Sequence, residues 1–123
     1  MTKRLGKMIK EARLARRLTL RRLTAQVMKE DGNPISPQYL FDIEEHHRMP
    51  APHVLRELAR VLDLEYDRLL AAAGAAEVVV REYLTAHPEQ SEAVIKLFRT
   101  AQENGFEDWG RVQTLVTGKG GEK

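Results

Sequence analysis

Apolar residues return every three or four positions along most of this chain, the period of helices that each bury one face. Leu5, Ile9 and Ala12, with Met8 and Ala15 beside them, predict a first helix over residues 3–17. Thr19 has the hydroxyl of an N-cap, and behind it Leu20, Leu23, Val27 and Met28 predict a second helix reaching about Lys29. Glu30-Asp31-Gly32-Asn33-Pro34 then supplies turn chemistry at nearly every position, and Ile35 returns an apolar residue to the corner. Ser36-Pro37 opens a third helix that ends near Glu45. The Ser36 hydroxyl suits a first-turn amide, and Pro37 suits the first helical position, where a missing N–H costs nothing. In that helix only Leu40 and Ile43 share a core face, so Gln38, Tyr39, Phe41 and Asp42 face largely elsewhere.

Pro50 and Pro52 interrupt the helical pattern after Glu45. A fourth helix is predicted from about His53 to Leu62, carrying Val54, Leu55, Leu58, Ala59 and Leu62. A fifth, near Tyr66 to Ala73, carries Leu69 and Leu70 and stops at Gly74. Residues 1–74 thus read as a five-helix domain, and residues 75–117 as an appended helical segment. Its three helices, near 75–86, 88–103 and 107–116, are short and amphipathic, so they must bury their stripes on the first domain, on one another or on a second copy. Residues 118–123 form a glycine- and charge-rich tail expected to be frayed. The fold class expected is all-α.

Charge changes this picture. The formal net charge of +2 conceals an asymmetry: residues 1–30 hold ten Lys or Arg against two acids, a net of +8, and the other 93 residues a net of −6. So basic an end suits a polyanionic partner, with a different task for the remainder. Hydrophobic residues at 42% and charged residues at 31% fit a soluble globular chain. There is no cysteine, which excludes disulfides, thiolate metal sites and cysteine nucleophiles. No apolar run has membrane-spanning length and no signal-peptide core follows the basic N-terminus, so a cytoplasmic location is expected.

An enzyme reading rests on His46, His47 and His53 beside Glu44 and Glu45. Adjacent histidines do not share a helical face as a zinc helix requires, and no HExxH element exists. No glycine-rich phosphate loop is present, and the two serines, Ser36 and Ser91, lie in no nucleophile motif. The expectation is therefore no catalysis, no metal and no cofactor.

The first 74 residues resemble the XRE (lambda repressor-like, Cro/repressor-type) family of helix-turn-helix regulators. The resemblance lies in Leu5-Gly6-Lys7-Met8-Ile9-Lys10-Glu11-Ala12-Arg13, Leu18-Thr19, Leu23-Thr24-Ala25, Ile35-Ser36-Pro37, Tyr39-Leu40 and Ile43-Glu44. It continues in Leu55 to Leu62 and in Asp67-Arg68-Leu69-Leu70. It implies that 36–45 is a recognition helix, with base readers at Pro37, Gln38, Tyr39 and Asp42. Glutamine can pair bidentately with adenine, tyrosine can meet a thymine methyl or a phosphate, and aspartate can accept from cytosine N4. Backbone contacts would fall to Ser36, Thr19, Arg16, Arg17, Arg21, Arg22 and Arg48. The family's tie between first helix and recognition helix maps onto Arg13 and Glu44. This chain departs in three places: Leu20 stands where a phosphate-binding glutamine is usual, the turn through Lys29–Pro34 is long, and the recognition helix is acidic.

The resemblance further implies a homodimer on an inverted-repeat operator, acting as a repressor. Tyr83, Leu97, Phe98 and Trp109 are then the expected anchors of a dimer or partner contact. The C-terminal pattern is also similar to the tails of regulators controlled by a zinc metallopeptidase, and an antitoxin whose tail masks a toxin is a related reading. A module that kept the fold and binds only protein is the remaining alternative, favoured by the acidic helix and opposed by the basic first thirty residues.

Overall fold

The structure, a computed structural model, describes residues 3–118, and among them eight α-helices. They are α1 (Lys3–Ala15), α2 (Leu20–Thr24), α3 (Pro37–Glu45), α4 (Pro52–Leu62), α5 (Tyr66–Ala72), α6 (Glu77–Ala86), α7 (Ser91–Glu103) and α8 (Trp109–Thr117). A 3₁₀ turn at Pro88–Gln90 leads into α7. Left-handed backbone at Arg17, φ 57°, turns the chain from α1 toward α2, and left-handed Asp63, φ 54°, ends α4. The expected residues 119–123 of the tail lie outside the described residues.

The second helix is shorter than its apolar spacing predicts, ending at Thr24 rather than near Lys29. Val27 is buried as its spacing suggests, but in irregular chain after the helix. Its carbonyl accepts from the Ile35 N–H at 2.9 Å, and an isolated antiparallel bridge joins Met28 to Pro34. Residues 27–35 thus close on themselves. Glycine at position 32, φ 88°, makes this possible, and Asp31 Oδ1 accepts from the Asn33 N–H at 2.9 Å. Ring closure around the turn outweighs the helical preference of the residues entering it.

The chain divides into two compact units between Arg81 and Glu82, within α6. The first has a continuous core. Leu5 and Ile9 of α1, Leu23 of α2, Leu40 and Ile43 of α3, Leu55, Leu58 and Leu62 of α4, and Leu69 and Leu70 of α5 are all essentially inaccessible. Helix α1 packs against α3 so closely that a Cβ on Gly6 would lie 2.6 Å from the Ile43 carbonyl oxygen and 2.7 Å from that of Glu44. Glycine is the residue this crossing admits.

The second unit is different in kind. None of its described residues is buried, and Tyr83, Ile95, Leu97, Phe98, Phe106, Trp109, Leu115 and Val116 are exposed large apolar side chains. Phe98 and Trp109 stack with ring centroids 5.1 Å apart, and Phe106 meets Trp109 edge-on at 5.3 Å. Leu97 joins Phe106, Trp109 and Val112 around an open apolar cleft of about 300 Å³. Tyr83 stands apart from this cluster and stacks on His87 at 4.5 Å.

Candidate nucleic-acid interface

Two hydroxyls mark the helix-turn-helix. Thr19 Oγ1 accepts from the Arg22 N–H at 3.0 Å, and Ser36 Oγ accepts from the Tyr39 N–H at 3.0 Å. A hydroxyl that accepts still has its own O–H to donate, so each cap satisfies its helix and keeps a donor for a phosphate oxygen. Both residues are exposed.

Helix α3 is held from below by three contacts to α1. Gly6 lets the two backbones approach. Arg13 and Glu44 form a bidentate ion pair, with Nε to Oε2 at 2.8 Å and Nη2 to Oε1 at 3.0 Å. Arg13 Nη1 also donates to the Leu18 carbonyl at 2.8 Å, so the guanidinium secures the α1–α2 corner as well. At the rim, Lys10 Nζ lies 2.6 Å from Glu45 Oε2, and this bond holds the Glu45 carboxyl below its ordinary value.

On the exposed side of α3, Asp42 is the centre of a connected set. Its Oδ1 accepts from Gln38 Nε2 at 2.9 Å and lies 3.1 Å from His46 Nδ1. Its Oδ2 lies 3.8 Å from the Arg48 guanidinium. The bond to His46, followed by that to Gln38, lowers the Asp42 pKa from its ordinary value. Left-handed His47, φ 58°, reverses the chain so that the Arg48 N–H donates to the Asp42 carbonyl at 3.0 Å. Arg48 then covers the Tyr39 ring, 3.9 Å from its centroid. Tyr39 Oη accepts from the Ala51 N–H at 3.2 Å, which fixes the ring and leaves its hydroxyl proton available. Pro37 is half-buried at the start of the helix.

All three carboxylates of α3 are therefore partnered. Glu44 has Arg13, Glu45 has Lys10, and Asp42 has Gln38, His46 and Arg48. Sequence spacing shows only part of this: Gln38 and His46 stand four residues either side of Asp42, whereas Arg48 reaches it only through the turn at His47. Spacing alone does not mark Gly6, although a glycine inside a helix costs stability unless something close requires it.

The basic residues fall into two groups. Arg17, Arg21 and Arg22 are exposed. Arg16 is committed elsewhere, its Nη2 donating to the Leu62 carbonyl at 2.6 Å, where it satisfies the end of α4. The closed loop 27–35 is tied to α4, because Glu57 Oε1 accepts from the Met28 N–H at 3.3 Å while Arg60 grips the same carboxylate at 3.1 Å. Lys29, Glu30 and Asp31 of that loop, with Tyr39, Ala51, His53 and Val54, line a shallow cleft of about 370 Å³. Among the described residues no three metal-ligating side chains come together. No described helix is long and apolar enough to cross a membrane.

A helix-turn-helix family profile matches residues 9–69. An uncharacterized HTH-type transcriptional regulator, RghRB of Bacillus subtilis (strain 168), is 32% identical over 103 residues, which cover 83% of this chain and 69% of the relative. No solved structure gives a significant match. The chain belongs to the XRE family of helix-turn-helix, DNA-binding transcriptional regulators.

Proposed function

We propose that this protein is a homodimeric repressor that reads an inverted-repeat operator through α3. The observation that carries this reading is the charge balance of that helix. An unpaired carboxylate beside DNA phosphates is costly, and here Asp42, Glu44 and Glu45 all have partners supplied by the protein. Gln38 and Tyr39 remain as readers, Ser36 and Thr19 as phosphate donors, and Arg17, Arg21, Arg22 and Arg48 as cations for the backbone. Arg16, bonded to Leu62, is the weakest of the phosphate candidates.

One short helix reads too few bases for useful specificity, so two copies on related half-sites are required. The exposed aromatic and aliphatic side chains around Phe98 and Trp109 suit an interface between the copies. A protein partner, a metallopeptidase or a toxin, is the other occupant that surface suits.

Fluorescence anisotropy of the full chain on DNA from upstream of its own gene tests the reading. The expected result is binding that survives an excess of nonspecific DNA, and displacement by that excess contradicts it. Light scattering of the same sample is expected to give twice the 14.0 kDa chain mass. A mass of one chain overturns the homodimer and leaves the C-terminal surface to a different partner.

A further inference from the structure

We propose that Asp42 is a positioning residue: it fixes the side-chain amide of Gln38 and the guanidinium of Arg48 for DNA, and does not itself read a base. The inference rests on the reading of α3 as the recognition helix.

A glutamine amide rotates about a broad two-fold terminal torsion, so left alone it presents oxygen or nitrogen to a base edge almost indifferently. Only one orientation suits a given base. Adenine offers an N7 acceptor beside an N6 donor, so the amide must present an N–H and a C=O in one order. An ionised carboxylate accepts and does not donate, so the Gln38 atom 2.9 Å from Asp42 Oδ1 must be the nitrogen. That contact uses one of the two Nε2 protons. With Asp42 taking the proton trans to Oε1, the second N–H and Oε1 stay available side by side, the donor–acceptor pair that complements adenine.

The same carboxylate has little left for a base. Oδ1 already faces both Gln38 and His46, Oδ2 faces Arg48, and the side chain is 25% exposed. Arg48 is bound to the unit twice more, through its N–H to the Asp42 carbonyl and through its stacking on Tyr39. One carboxylate therefore connects the amide of Gln38 with the cation that covers Tyr39. Preorganising two flexible side chains in this way lowers the ordering cost on binding.

The test is selection of binding sites from a random duplex library by the full-length protein and by Gln38→Ala, Asp42→Ala and Asp42→Asn. The operator column that loses its base preference in Gln38→Ala is the column read by Gln38. Asp42→Ala is expected to flatten that same column, lowering the preference for adenine about tenfold. Asp42→Asn is expected to flatten it only in part, because its amide can accept from Gln38 Nε2 but can also donate to Gln38 Oε1. A role in charge alone would instead make both Asp42 variants bind all sequences more tightly with the column unchanged, and this overturns the proposal. Loss of preference at a cytosine column that Gln38→Ala leaves intact also overturns it, by making Asp42 a reader. If the unaltered protein selects no motif, the assignment of α3 as a reading helix fails too, an outcome distinct from the other two.

Discussion

Arg13 on α1 and Glu44 on α3 meet in a bidentate pair whose side chains are only 9% and 1% exposed. The Glu44 carboxylate of α3 is thereby tied to α1 and, through Arg13 Nη1 and the Leu18 carbonyl, to the entrance of α2. A buried pair of this kind costs desolvation, so its value lies in fixing the angle between elements as much as in stability. Glu44→Ala leaves the guanidinium buried and uncompensated, and urea unfolding is expected to show a loss of about 3–5 kcal/mol. Removing both partners, as Arg13→Leu with Glu44→Met, is expected to cost markedly less than the single change, a coupling that the double-mutant cycle measures.

Gly6→Ala reverses the usual sign of a helix substitution. In an exposed helix interior alanine stabilises by about 1 kcal/mol over glycine. At Gly6 the new methyl meets two backbone carbonyl oxygens of α3 within 2.7 Å, so the helices must separate. The expected outcome is a destabilisation of about 1–3 kcal/mol, read by thermal or urea unfolding, with weaker DNA binding in the same variant.

The salt dependence of binding counts the phosphates. Each phosphate neutralised adds about 0.9 to the slope of log affinity against log salt. Arg21→Ala with Arg22→Ala is expected to reduce that slope by about 1.8 and to weaken binding to all sequences alike. An unchanged slope removes these two residues from the interface.

The loop 27–35 gives a pH signature. Bonds to Arg60 first, and then from the Met28 N–H, hold Glu57 below its ordinary 4.5 in the folded protein. A carboxyl lowered by folding contributes stability above its unfolded value, and that contribution disappears as the pH falls through the folded value. Glu57→Ala is therefore expected to lower the Tm near neutral pH and to converge with the unaltered protein as the pH drops well below 4.5. Amide exchange at Met28 is expected to accelerate in the variant, since the Glu57 carboxylate is its acceptor.

Much of the first unit is legible in the chain. The stripes of α1, α4 and α5 and the Ser36-Pro37 opening of α3 depend on local spacing and local caps, which sequence displays directly. The end of α2 is not legible, because Val27 and Met28 continue the helical spacing while their backbone serves a bridge to Pro34 and Ile35. Long-range closure decides there. The role of Gly6 is hidden for a similar reason, since it follows from the approach of a helix more than thirty residues away in the chain. At the site, the acidic helix looks unfavourable for DNA until Lys10, Arg13 and Arg48 are placed against it. In the second unit the stripes are visible in sequence, and none of its described residues is buried.

The most direct measurement of the central claim compares affinities for a selected operator and for random duplex, using the full chain and the double variant Gln38→Ala, Tyr39→Ala. Lost base contacts are worth about 1–3 kcal/mol each. The variant is expected to keep its circular dichroism and its affinity for random DNA while losing most of its preference for the operator. Equal preference in the two proteins would contradict the reading of bases by α3.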